Sequence, residues 1–173
     1  MSDNQSVLMG ALVMFTLIAI AAYPAMDAQA DPFGKGSGRL SVIIGSGEAL
    51  NDDYTILGVG AGYYVIDGLE IGLDGEVWLG GDPDIYKISP GVRYVLPLEK
   101  TLRPYVGGFY RHTFIENFDD LDSFGARGGL YFMPGRNWYL GIGVVYENYT
   151  DCSERVYDSC DEVYPEITFA LTF

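Results

Sequence analysis

The stretch "LEIGLDGEVWLG", residues 69–80, decides how the chain is read. Acids stand at Glu70, Asp74 and Glu76, while Leu69, Ile71, Leu73, Val77 and Leu79 occupy the positions between them. A period of two is the signature of a β-strand with one polar and one apolar face. The fold then depends on which of those faces meets bulk water.

The same period recurs along the chain. Turn signals separate eight alternating runs, which predict strands near 38–47, 54–66, 69–80, 85–96, 103–115, 123–133, 138–149 and 162–173. Each is about 10 to 13 residues long, slightly more than the 9 to 11 that cross a hydrocarbon core at a tilt. The connections alternate in kind. "IDGL", "PLEKT" and "PGRN" are tight turns, whereas the stretches around 48–53, 81–84, 116–122 and 150–161 are acidic and mostly longer. Short and long connections in alternation are what an up-and-down antiparallel meander produces. The 14 tyrosines and 23 glycines, with no helical periodicity after Pro32, also point to an all-β chain.

Sorting the runs by parity separates two faces. One is apolar almost throughout, from Val42, Ile44, Leu57 and Tyr63 to Ile142, Val144, Ile167 and Phe169. The other carries Arg39, Glu70, Asp74, Glu76, Lys87, Arg93, Arg111, Arg127, Glu147 and Glu166, five acids against five bases. A surface in bulk water has no need of such neutrality, and the rest of the chain shows no taste for it. The long connections, with Glu162 counted in the last, hold fourteen acids against Arg155 alone. Ions enclosed at low dielectric must be paired or cost several kcal/mol each, so the balanced face is expected inside. Gly58, Gly60, Gly62, Gly72, Gly91, Gly107, Gly125, Gly129, Gly141 and Gly143 lie on that same face, as crowding inside a narrow barrel requires. The apolar face then looks outward, into lipid. A soluble, lipocalin-like ligand-binding cup shares the period and differs only in which face is inside.

The ends bound the domain. Residues 1–30 read as a cleaved signal peptide: "VLMGALVMFTLIAIAAYPAM" carries no charge, and Ala28 and Ala30 stand in A-x-A spacing before Asp31. The leading "MSDNQS" lacks the usual basic cluster, and an uncleaved anchor helix is the alternative. Residues 31–173 are expected to form one domain.

The last residues, "YPEITFALTF", place Ile167, Phe169, Leu171 and Phe173 at alternate positions and end on an aromatic ring. This resembles the C-terminal signature of Gram-negative outer-membrane barrels, and "ISPGVRYVLP" and "RPYVGGFYR" are similar to segments of small barrels of the OmpA/OmpX/OmpW kind. The resemblance implies an eight-stranded antiparallel up-and-down transmembrane β-barrel in the bacterial outer membrane, inserted by a machinery that reads the C-terminal signal. It implies tight turns and both termini in the periplasm and long loops outside the cell, in contact with lipopolysaccharide. Tyr54, Trp78, Tyr86, Trp138 and Tyr146 are then expected in the interfacial aromatic girdles.

Chemistry is sparse. Cys152 and Cys160 sit in one polar stretch, and in an exported protein they are expected to form a disulfide across the last long loop. No metal or other cofactor is expected, because the acidic loops lack a calcium-loop spacing and the one histidine, His112, stands far from both cysteines. His112 is also the only candidate catalytic base; with Thr113 beside it and no neighbouring serine, the chain reads as a non-enzyme. The net charge of −14 argues against nucleic acid as a partner. The function expected is structural support or surface interaction through the acidic loops, over a lumen filled by its own charges. A narrow pore for ions or small solutes is the alternative.

Overall fold

A computed structural model describes residues 31–49, 52–81, 85–98, 101–115, 120–150 and 160–173. They form eight strands: β1 (Gly38–Ala49), β2 (Asp52–Ile66), β3 (Leu69–Leu79), β4 (Ile85–Val95), β5 (Leu102–Ile115), β6 (Leu121–Phe132), β7 (Trp138–Tyr149) and β8 (Asp161–Thr172). Each pairs antiparallel with the next, and β8 returns to β1 to close a barrel. The expected all-β architecture and strand order are those observed.

Local chemistry explains the ends of the strands. Asp67-Gly68 closes the β2–β3 hairpin in two residues, with Gly68 at φ +79°, a conformation that an ordinary side chain resists. The closing seam between β1 and β8 runs from Arg39–Thr172 to Gly45–Glu166 and stops there. The next residue of β8 is Pro165, which has no N–H to donate. At the other end of the seam Gly38 donates to the carbonyl of Phe173 at 2.7 Å, which ties down the last residue.

Parity sends the two faces apart. Outward stand Ile71, Leu73, Val92, Val106, Ile142, Val144 and Ile167, each about half exposed, and the outward row of β8 ends on Phe169, Leu171 and Phe173. A partly exposed aliphatic chain costs on the order of 1 kcal/mol in water. A belt of them around the wall is therefore matched by hydrocarbon as solvent. Inward stand all ten charged residues of the polar face, with relative exposures from 0 to 6 %.

Two of the expected girdle aromatics are placed elsewhere. Tyr86, Trp138 and Tyr146 face outward, but Tyr54 and Trp78 are 2 % and 0 % exposed and pack in the interior. Trp78 shares the parity of Glu70, Asp74 and Glu76, and Tyr54 that of Ile56 and Gly58, so the period of two overrides the aromatic preference for an interface.

The lumen as candidate functional site

The interior is built in layers along the barrel axis, beginning at the end that carries the tight turns. There Phe33, ahead of β1, enters a cluster of Tyr64, Tyr105, Tyr131 and Tyr139. Its ring lies parallel to Tyr131 with centroids 5.9 Å apart and meets Tyr64 edge-on at 5.7 Å. Tyr105 stacks on the other side of the cluster at 4.1 Å from Tyr131. Residues 31–37 cross this end of the barrel and are fastened to it. Arg103 Nη1 meets both carboxylate oxygens of Asp31 at 3.0 and 2.9 Å, Gly68 donates to the carbonyl of Phe33 at 2.8 Å, and the N–H of Lys35 reaches Asp67 at 2.8 Å.

Above the tyrosines lies a first ionic layer centred on Asp74. Its carboxylate accepts Arg39 at 3.1 Å, Arg127 at 3.0 Å and Arg93 at 3.4 Å. Glu70 binds Arg39 at 2.9 Å and stands 3.6 Å from Arg93, and Glu166 binds Arg127 at 3.2 Å. Arg39 also donates to Ser41. Three arginines thus face three carboxylates. A cavity of about 10 Å³ lies among Arg39, Glu70, Asp74, Arg93, Phe109 and Arg127, roughly the room of one water molecule.

A second ionic layer stands nearer the long connections. Arg111 bridges Glu76 at 2.6 Å and Glu147 at 2.7 Å, and donates to Ser89 at 2.7 Å and to the hydroxyl of Tyr164. Lys87 Nζ sits 3.7 Å above the Trp78 ring, 3.0 Å from the Tyr149 hydroxyl, 3.4 Å from Glu147 and 4.0 Å from Glu162. Ser123 donates to Glu147 at 2.6 Å.

Phe109 divides the two layers. Arg111 approaches its ring to 4.6 Å and Arg127 to 4.8 Å, one guanidinium from each layer. Among the described residues no ion pair joins one layer to the other. The ring has room because both residues paired with Phe109 are glycines, Gly91 on β4 and Gly125 on β6. A Cβ on Gly91 would stand 2.9 Å from that of Phe109, and one on Gly125 would overlap the ring itself. Other lining glycines serve in the same way: a Cβ at Gly60 would meet Asp74, at Gly62 Glu70, and at Gly143 the Tyr105 hydroxyl.

The structure therefore brings all ten candidate lining charges inside and adds an eleventh. Glu162, counted with the last loop from sequence, faces inward, directly paired with Glu147, and receives the Tyr149 hydroxyl at 3.3 Å. Its parity relative to Glu166 carries that signal. Phe109 and Phe33 were also missed; the paired glycines Gly91 and Gly125 mark the first, and nothing periodic marks the second. His112 lies on the outward side, where Nδ1 meets Asp122 at 2.7 Å, while Thr113 turns inward, so the two form no unit. Cys152 lies outside the described residues, and so does the pairing expected of it with Cys160.

Comparison with solved structures agrees with this geometry. The chain matches the N-terminal β-barrel domain of Pseudomonas aeruginosa OprF with TM-score 0.67 and 17 % identity, covering 81 % of this chain and 99 % of that one. The fold is that of a small eight-stranded outer-membrane barrel. Neisserial surface protein A matches at 0.56 and 13 % identity, over 79 % of this chain and 94 % of its own. A barrel from de novo design of transmembrane β-barrels matches at 0.55 and 16 % identity, over 80 % and 97 %. No family model matches the chain, and no curated protein is similar to it in sequence. A designed barrel shares the architecture as closely as a natural surface protein does, so function has to be argued from this chain's own residues.

Proposed function

We propose that this protein is a bacterial outer-membrane barrel whose lumen is shut by its own side chains, and whose role is structural or lies in surface interaction through its acidic loops. The supporting observation is the inversion of the wall, with eleven charged groups drawn inside and aliphatic side chains turned outward. In an eight-stranded barrel the interior is just wide enough for side chains to fill it. Here every ionic group of the lining has an opposite charge within 4.0 Å. Such a tube supports loops rigidly and offers no continuous water path.

On this reading residues 1–30 are a signal peptide, and Ile167, Phe169, Leu171 and Phe173 serve the insertion machinery as the recognised strand. The loops stand among lipopolysaccharide head groups, with Cys152 and Cys160 cross-linking the last of them. Outer-membrane fractionation with a heat-modifiability gel tests address and fold together: the unheated protein is expected in the outer-membrane fraction as a faster band. Reductant should leave that band in place, because the bridge closes one loop only. A planar-bilayer recording tests the lumen and is expected to stay silent at all voltages. Discrete conductance would favour the narrow pore. A chain that stays monodisperse without detergent would favour a soluble barrel and remove the membrane reading.

A further inference from the structure

We propose that the lumen is sealed by two apolar septa in series, Phe33 at the turn end and Phe109 at mid-barrel, and that residues 31–37 form a lid carrying the first of them. This rests on the shut-lumen reading and names what shuts it. The ionic layers are the obvious candidates for a barrier, but ion pairs are also the parts of a lumen that water and ions solvate best. An aromatic ring packed in the lumen offers an ion nothing in exchange for its hydration shell.

Both rings are buried in the interior, Phe109 against the wall at Gly125 and Phe33 among the tyrosines of the turn end. Phe109 is 7 % exposed and sits between the guanidinium of Arg111 and that of Arg127, which belong to different ionic layers. Its position is built into the wall by Gly91 and Gly125, either of which would collide with it if it carried a side chain. Phe33 is 2 % exposed and fills the space between Tyr64, Tyr131 and Tyr139. Unlike Phe109, it stands on a segment outside the barrel strands. That segment is fastened by the contacts of Asp31 with Arg103, by the hydrogen bonds to Asp67 and Gly68, and, where it joins β1, by two main-chain bonds to Tyr64, from Gly36 to its carbonyl at 2.8 Å and from its N–H to the Ser37 carbonyl at 3.0 Å. The Arg103 guanidinium also lies 5.0 Å from the Phe33 ring, so one residue holds both the anchor and the stopper. The Asp74 layer is thereby enclosed between two septa, one fixed and one on a lid.

Series closure predicts a specific logic. In planar bilayers the parent, Phe33→Ala and Phe109→Ala proteins should all be silent, and only the double variant should conduct. Access to the enclosed layer should follow the opposite rule. Ser41 is 6 % exposed and lies in that layer beside Arg39. With Cys152 and Cys160 changed to Ser, a Ser41→Cys thiol should react slowly with methanethiosulfonate-ethylammonium in the parent. It should react at least tenfold faster in each single variant, because each opens one side. The folded state of every variant is verified by its heat-modifiable band. Steady conductance in the parent overturns the shut-lumen reading and this inference with it. A folded double variant that stays silent overturns the series closure alone, as does a single variant that conducts like the double. If the double variant does not fold, unchanged thiol reactivity in both single variants overturns the inference.

Discussion

The two ionic layers meet the same requirement with different margins. Around Asp74 three arginines meet three carboxylates, and one aspartate holds all three cations. Around Arg111 two cations, Arg111 and Lys87, meet three carboxylates, Glu76, Glu147 and Glu162. Two of those acids, Glu147 and Glu162, stand directly opposite each other on neighbouring strands, where like charges repel. Lys87 and the Tyr149 hydroxyl stand between them. The layer between the two aromatic septa is balanced, while the one next to the acidic loops carries an acid in excess. Deep in the tube no mobile ion corrects a mismatch, whereas near the mouth Glu162 keeps 13 % of its side chain exposed to water.

Removing a hub should show that difference most clearly. Asp74→Ala leaves three buried arginines short of their common acceptor, and breaking a buried ionic cluster by deleting one partner costs about 3–5 kcal/mol. Urea unfolding in lipid vesicles, followed by the gel shift, should place this variant furthest below the parent. Arg111→Met comes next, at about 3 kcal/mol, because Glu76 loses its cation while Glu147 keeps Lys87. Equal losses for the two would mean that the layers are not organised around different kinds of hub.

The wall of this molecule was more legible in the sequence than its filling. Strand order, the outward belt and the inward position of all ten lining charges follow from parity, because a strand has two faces and one of them must avoid lipid. The filling obeys a different rule. Side chains from opposite walls meet across the bore, and no spacing within one strand reports which partner a group will find. Residue type points Trp78 and Tyr54 to the interface, whereas their parity sends both inward. Glu162 stands at the junction of the last acidic loop and β8, so its charge reads with the loop while its parity is that of Glu166. Phe33 belongs to a segment with no period, so its position depends on the tyrosines that surround it. Phe109 is an apolar residue on the polar face, and only its glycine neighbours on two other strands give it away.

Those glycines sharpen the comparison, since the divider keeps the layers separate. Gly125→Ala places a methyl group where the Phe109 ring stands, and overpacking of this kind costs about 1–3 kcal/mol. Phe109→Ala in the same chain should recover part of that loss, because the ring is what the methyl group strikes. The measurement is a double-mutant cycle on vesicle-unfolding free energies. Purely additive losses would show that the ring is not held in the groove between Gly91 and Gly125.

The smallest effect is expected where the excess acid sits. Glu162→Gln removes a charge opposite Glu147 and leaves Lys87 its contacts with Glu147, Tyr149 and Trp78. An amide keeps an acceptor for the Tyr149 hydroxyl, so the hydrogen bond at 3.3 Å survives the change. The repulsion lost and the Lys87 attraction lost act in opposite directions, and a net change within about 0.5 kcal/mol of the parent follows, on the stabilising side if the like-charge pair dominates. A loss comparable to that of Asp74→Ala would mean that Glu162 is a needed partner of Lys87, and that the layer near the loops is balanced by groups not among those named for it. A gain would place the excess charge where the geometry does, at the mouth, where an acid is tolerated because water still reaches it.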